Sequence, residues 1–201
     1  MSYCLTMPMA VSSHAEPEAN ADASDLWMQA LAGGDTAAMD CLLKRWWKPL
    51  MSYFLRSTHS AADAEELTLS TLTRLYHSAP RYRPGSSFSA YLFTIARNLL
   101  ISHLRREGYR RQSLVSLEDL PDRKQPADEG SEHPINETRE QFEQLLELLP
   151  EVQRTALLLR VQQSLPYEAI AEVTGLSVSA TKTCLYRARQ TLKAHLRNGY
   201  E

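Results

Sequence analysis

Apolar residues recur three and four positions apart along most of the chain, the spacing that gathers them on one side of a helix. Asp25 to Ala32 reads as a short helix capped by Ser24 and broken by Gly33-Gly34. Asp35 caps the next, which carries Met39, Leu42, Leu43 and Trp46 on one side towards Trp47. Pro49 is expected to interrupt or kink it, because the ring clashes with the preceding turn; Leu50, Tyr53 and Phe54 then continue the apolar side. The tryptophans and these aromatics read as core, since such residues are usually buried.

Ser60 caps a helix from Ala61 to about Ser78, with Asp63 at capping-box spacing. Ala64, Leu67, Thr71, Leu72 and Leu75 face inward, and Glu65, Glu66, Leu69, Ser70, Thr73 and Arg74 outward. After a Pro80 to Ser87 loop, Phe88 to Arg106 forms a long helix with Phe88, Leu92, Ile95, Leu99 and Leu100 as its buried stripe. Glu137 to Leu149 (Phe142, Leu145, Leu146 and Leu149 inward) and Glu151 to Val161 (Val152, Ala156, Leu157 and Leu159) are two further helices.

The last stretch predicts a helix-turn-helix. Pro166 opens a helix in whose first turn its missing N–H costs nothing. Tyr167 to Thr174 places Ile170 and Val173 on one side, Gly175 ends it with a left-handed residue, and Ser177 caps the second helix. That helix buries Val178, Thr181, Leu185, Ala188, Leu192 and Leu196 and turns Ser179, Lys182, Thr183, Tyr186, Arg187 and Gln190 outward. From Ser177 to Asn198 there are five basic residues, Arg189 among them, and no acid. Short polar groups for base edges and cations for phosphates are what a helix in the major groove needs. An αα-hairpin with a solvated basic helix is the bland alternative.

These elements predict an all-α protein of two small helical domains, at 25–111 and 137–201, joined by a flexible acidic linker at 112–136 and preceded by a disordered tail at 1–24. Charge sharpens the division. The net charge of −2 argues at first against a nucleic-acid binder. Its distribution reverses that: −3 in the tail, +5 in 25–111, −4 in the linker and 0 in 137–201. Local charge sets the electrostatic footprint. In the first domain Arg81, Tyr82 and Arg83 alternate in a loop, and Tyr91, Arg97, Asn98, His103, Arg105 and Arg106 decorate the helix beyond it. Cations beside aromatics suit single-stranded nucleic acid, phosphates to cations and bases stacked on rings; an ordinary basic helix face has the same composition.

Chemistry is absent where an enzyme would show it. No glycine-rich phosphate loop, His-Glu-x-x-His or nucleophile elbow occurs. The histidines are scattered, and Cys4, Cys41 and Cys184 form neither a zinc site nor a disulfide framework. No catalytic residue, metal, cofactor or small-molecule substrate is expected. The first residues lack the basic region and apolar run of a signal peptide, and no window reaches the ~20 apolar residues of a membrane span, so a cytoplasmic protein without membrane insertion is expected.

In order, these features resemble a bacterial RNA polymerase sigma factor of the extracytoplasmic-function (ECF) type. Three stretches carry the resemblance. Asp63-Ala64-Glu65-Glu66-Leu67 is similar to the start of the family's core-binding helix. Pro80-Arg81-Tyr82-Arg83 through Phe88, with Ile95-Ala96-Arg97-Asn98 and His103-Leu104-Arg105-Arg106, is similar to its −10 recognition and melting segment (region 2). Leu149-Pro150-Glu151 onward, with Tyr167 to Glu172 and Leu185 to Arg189, is similar to its −35-binding domain (region 4).

The resemblance implies a non-catalytic transcription initiation subunit whose partners are core RNA polymerase, promoter DNA and an anti-sigma factor. It implies core-polymerase contacts at Asp63, Glu66, Leu69, Ser70 and Arg74. It implies −10 contacts at Arg81, Tyr82, Phe88, Tyr91, Arg97, Asn98, Arg105 and Arg106, with Asn98 at the family's base-contacting position. The −35 duplex would be read by Ser179, Lys182, Thr183, Tyr186, Arg187 and Arg189. The chain departs from the family at Leu69 and Ser70, where glutamine followed by an acid is usual, and at Thr181 and Cys184, where a hydrophobic and a basic residue are usual. Leu69 and Ser70 support one alternative: a sigma-like protein that binds DNA or titrates an anti-sigma factor, with weak or no core binding.

Overall fold

A computed structural model describes residues 19–84, 87–115 and 145–198, which are helical with no strand among them. Helix α1 (Ala19–Ala32) starts ahead of the expected cap. Ser24 therefore sits inside the helix, where its buried hydroxyl accepts from the Trp46 indole N–H at 3.0 Å. Burial of an indole requires such an acceptor, so Ser24 serves Trp46 rather than a helix end. The helix takes in the last residues assigned to the tail, and residues 1–18 lie outside the described residues.

Helix α2 (Ala37–Thr58) is capped by Asp35, whose carboxylate accepts from the Ala37 N–H at 3.0 Å. It runs through Pro49 without a break, so the expected interruption does not occur. Proline removes one backbone hydrogen bond, but Leu42, Trp46, Leu50, Tyr53 and Phe54 are buried on both sides of it, and that burial keeps the two halves in one helix. Helix α3 (Ala61–Ser78) begins where the sequence places it, with the Asp63 N–H donating to the Ser60 hydroxyl. A 3-10 turn at Ala79–Arg81 leads to α4 (Phe88–Val115), which is longer than expected and takes in the first residues assigned to the linker. The rest of the linker and most of the Glu137 to Leu149 helix lie outside the described residues.

The second half comprises a last helical turn at 145–147, then α5 (Glu151–Gln162), α6 (Tyr167–Thr174) and α7 (Val178–Asn198). Helices α1 to α4 pack as one bundle and α5 to α7 as another. Trp46 lies 5.5 Å from Phe88 and 6.2 Å from Phe93, and Tyr53 meets Phe93 edge-on at 5.5 Å. Such tilted and edge contacts add to the burial of the rings. The two bundles are not held apart: α4 packs on α6 and α2 on α5, and the buried apolar residues of both halves form one continuous core.

Candidate nucleic-acid interface

The helix-turn-helix is set by two residues of special geometry. Gly175 has φ +73°, the left-handed conformation that costs an L side chain ~1–2 kcal/mol. It lets the Leu176 N–H turn back to the Ala171 carbonyl at 3.1 Å, closing the end of α6. The Ser177 hydroxyl then accepts from the Ala180 N–H at 3.2 Å and starts α7. Thr181, Leu185 and Ala188 are buried, as the spacing predicts. Leu196, on the same stripe, is exposed instead, because α7 runs on past the elements that cover its earlier turns.

On the other side Ser179, Lys182, Thr183, Tyr186, Arg187 and Arg189 are all exposed, with Tyr186 at 62%. The Lys182 ammonium stands 5.6 Å from the centre of the Tyr167 ring and the Arg160 guanidinium 5.0 Å from it, so one ring of α6 takes a cation from α5 and another from α7. Arg160 also donates to the Leu165 carbonyl at 2.8 Å, bracing the connection into α6. Half-buried Cys184 lies beside this face, and burial pushes its thiol pKa up, keeping it neutral.

The candidates of the first bundle fall into three groups. Arg81, Asn98, Arg105 and Arg106 are exposed, and Tyr91 is half-buried. Tyr82 is half-buried as well, with its ring 5.0 Å from Tyr91 and its hydroxyl donating to Asp25 of α1. Burial, then that carboxylate, raises its pKa above the ordinary tyrosine value. Phe88 is fully buried against Trp46, so the expectation that it touches DNA is corrected: its ring lies 6.1 Å from that of Tyr82 and backs it from the core. His103, expected on the outer face, is buried with Nε2 3.7 Å from the Asp63 carboxylate.

Arg97 is the largest departure. Its side chain is only 14% exposed and grips Glu151 of α5 through two hydrogen bonds, Nε to Oε1 at 3.0 Å and Nη2 to Oε2 at 2.9 Å. The remaining Nη1 reaches the Val173 carbonyl in the last turn of α6 at 3.5 Å. Periodicity places Arg97 outward and does not show that the second bundle covers that side.

Glu66, Leu69, Ser70 and Arg74 line a shallow groove of about 340 Å³ together with Thr73 and Leu99. Asp63 stands apart, beside His103. Leu69 is 49% exposed, an apolar side chain offered to solvent at the groove. By spacing Thr73 is an outer residue and Leu99 a core one, and nothing in the sequence pattern joins α3 to α4 at this point. Among the described residues no cluster of metal-ligating side chains occurs, and no helix is long and apolar enough to cross a membrane.

Comparison with known proteins agrees with this layout. The family model for Sigma-70 region 2 matches residues 42–110, and that for Sigma-70 region 4 matches residues 139–192. The chain is 31% identical to the RNA polymerase sigma factor YlaC of Bacillus subtilis, over 82% of this chain and 95% of that one. It is 32% identical to the ECF RNA polymerase sigma factor EcfG of Rhodopseudomonas palustris, over 74% and 80% respectively. The solved structure of the sigma factor RpoE in complex with the anti-sigma factor NepR, from Bartonella quintana, superposes with a TM-score of 0.63 at 26% identity, covering 79% of this chain and 96% of that one. The chain belongs to the RNA polymerase sigma factors of the ECF subfamily.

Proposed function

We propose that the protein binds core RNA polymerase and directs it to specific promoters in the bacterial cytoplasm. The α7 face from Ser179 to Arg189 reads the −35 duplex in the major groove. The first bundle holds the unpaired −10 strand, with Asn98 at a base, the Tyr82–Tyr91 pair as a stacking surface and Arg81, Arg105 and Arg106 on phosphates. Flipping a base costs a few kcal/mol in lost stacking, and these ring and cation contacts offset it. The groove at Glu66, Leu69, Ser70 and Arg74, with Asp63 beyond it, is the docking surface for the polymerase. The protein supplies no catalytic group of its own, and an anti-sigma factor, such as the one bound to the Bartonella relative, is its regulator. Residues 25–111 and 137–201 act as the two functional domains.

One observation carries this reading: an exposed helix face without an acid, presented by a Gly175–Ser177 turn, in a chain whose first half matches region 2. The exposed Leu69 and neighbouring Ser70 favour a second reading, a sigma-like protein that binds DNA or an anti-sigma factor without engaging the polymerase. Binding to purified core polymerase, followed by run-off transcription, separates the two. Tight binding with promoter-dependent transcripts is expected. A folded protein that binds promoter duplex or an anti-sigma factor but not the polymerase would establish the second reading.

A further inference from the structure

Two consecutive residues of α1 reach Tyr82 by separate routes. The Ser24 hydroxyl accepts from the Trp46 indole, Trp46 lies 5.5 Å from Phe88, and Phe88 lies 6.1 Å from Tyr82. Asp25 meets the same tyrosine directly, since its carboxylate accepts from the Tyr82 hydroxyl. Ser24, Trp46, Phe88, Tyr82 and Asp25 therefore close a circuit, in which the first three are buried and the last two half-buried. Helix α1 also packs against the 3-10 turn that Tyr82 ends. The match to Sigma-70 region 2 begins at residue 42, so α1 lies ahead of it.

We infer that α1 belongs to the −10 apparatus, with Asp25 as the positioning residue that holds the Tyr82 ring ready to stack on an unpaired base. This rests on the proposed assignment of the Tyr82–Tyr91 pair to the −10 strand. Three observations carry it. Tyr82 has extended backbone at the end of the 3-10 turn and lies outside α4, so its ring takes its setting from tertiary contacts. Tyr91, 5.0 Å away, and Phe88 flank the ring, and Asp25 fixes its hydroxyl end with a hydrogen bond of the stronger, charge-assisted kind. Burial, then that carboxylate, pushes the Tyr82 pKa up, so the hydroxyl keeps its proton and remains the donor. The carboxylate is otherwise out of place, because an acid on a surface for a polyanion repels it. A ring ordered before the strand arrives spares the strand that ordering cost.

The test measures binding of the full chain to a short single-stranded DNA pool of random sequence and to an abasic strand of equal length, with a duplex as control. Stacking tolerates any base, and the abasic strand keeps the phosphates alone. Apparent affinity scales with the competent fraction, so a ring in place about a third of the time costs about threefold. Asp25→Ala and Tyr82→Phe are each expected to bind the random strand about threefold more weakly, and no more weakly when combined. Asp25→Asn removes the charge but keeps an acceptor, and is expected to bind at least as tightly as the parent chain. On the abasic strand Asp25→Ala and Asp25→Asn are expected to match, and duplex binding to stay unchanged in all. Should Asp25→Ala fail to fold, Tyr82→Phe removes the same bond from its other end and carries the comparison. Asp25→Ala binding the random strand as tightly as Asp25→Asn, while Tyr82→Ala loses about fivefold or more, would overturn the positioning role and leave the −10 assignment standing. Parent affinity in Tyr82→Ala would overturn both. Equal losses on the random strand, the abasic strand and the duplex would make Asp25 a purely structural residue and overturn the inference.

Discussion

Thr68 sits on the buried side of α3 with a hydroxyl that has no hydrogen-bond partner. A buried polar group left unpaired costs ~1–3 kcal/mol, whereas an apolar group of the same shape costs nothing of that kind. Thr68→Val is therefore expected to stabilise the protein by about 1 kcal/mol, seen as a higher denaturant midpoint at unchanged slope. A lower midpoint would mean that the hydroxyl is satisfied in solution. Tyr53 is the opposite case, a buried hydroxyl with a partner. Burial, the largest cause, raises its pKa far above the ordinary tyrosine value of about 10, against the opposing effect of the Thr155 bond. The native state then holds its proton at pH values where the unfolded chain has lost it. The stability Tyr53 carries is complete below about pH 10 and falls as pH rises from there towards the native pKa. Tyr53→Phe should lose roughly 0.5–1.5 kcal/mol at neutral pH and show a shallower alkaline decline; Tyr82, raised in the same direction, keeps part of it. An identical decline in urea titrations at pH 8 and pH 10.5 would refute the assignment to Tyr53.

At the level of elements, α7 carries the clearest prediction because three helices converge on its cation. Lys182 reaches out over Tyr167 of α6, whose ring also meets Arg160 of α5, so the side chain is partly placed before DNA arrives. Lys182→Ala and Arg187→Ala should each weaken −35 duplex binding by roughly 1–3 kcal/mol if they meet base edges. A uniform loss across sequences with a smaller salt slope would identify them as phosphate contacts instead. Unchanged binding in both would remove α7 from the groove.

Legibility in the sequence divides by range in the same way. The caps at Asp35, Ser60 and Ser177 and the turn at Gly175 act within two to five residues, so their residue types announce them. The outward face of α7 is equally readable, because helical periodicity alone separates Lys182 and Arg187 from Leu185 and Ala188. The roles of Ser24, Arg97 and His103 are not. Their partners, Trp46, Glu151 and Asp63, lie 22, 54 and 40 positions away and belong to other helices. Polarity puts all three on solvent faces or helix ends, and only tertiary packing shows that another element covers each. Pro49 defeats the local rule for a related reason: its penalty is real, but the burial of five large side chains around it outweighs that penalty.

For the molecule as a whole, salt separates the force that closes it from the force that binds DNA. The Arg97–Glu151 pair is 14% and 28% exposed and sits over a shared apolar core, so counter-ions reach it poorly. The His59–Glu147 pair at the rim is far more open, at 26% and 59%, and contributes little once screened. Nucleic-acid binding depends instead on released counter-ions. Were Lys182, Arg187 and Arg189 all to meet phosphates, the log–log slope would be near −2.7, about a 40-fold loss of −35 duplex affinity between 50 and 200 mM salt; each one that meets a base edge instead makes the slope shallower by about 0.9. Over that range the radius of gyration of the free chain should stay constant while duplex binding falls. Expansion of the chain at 200 mM would mean that exposed pairs such as His59–Glu147 hold the bundles together. Constancy to 500 mM, where the screening length is only about 4 Å, would leave apolar burial and the hydrogen bonds among Tyr53, Thr155, Glu151 and Arg97 as what keeps the two bundles together.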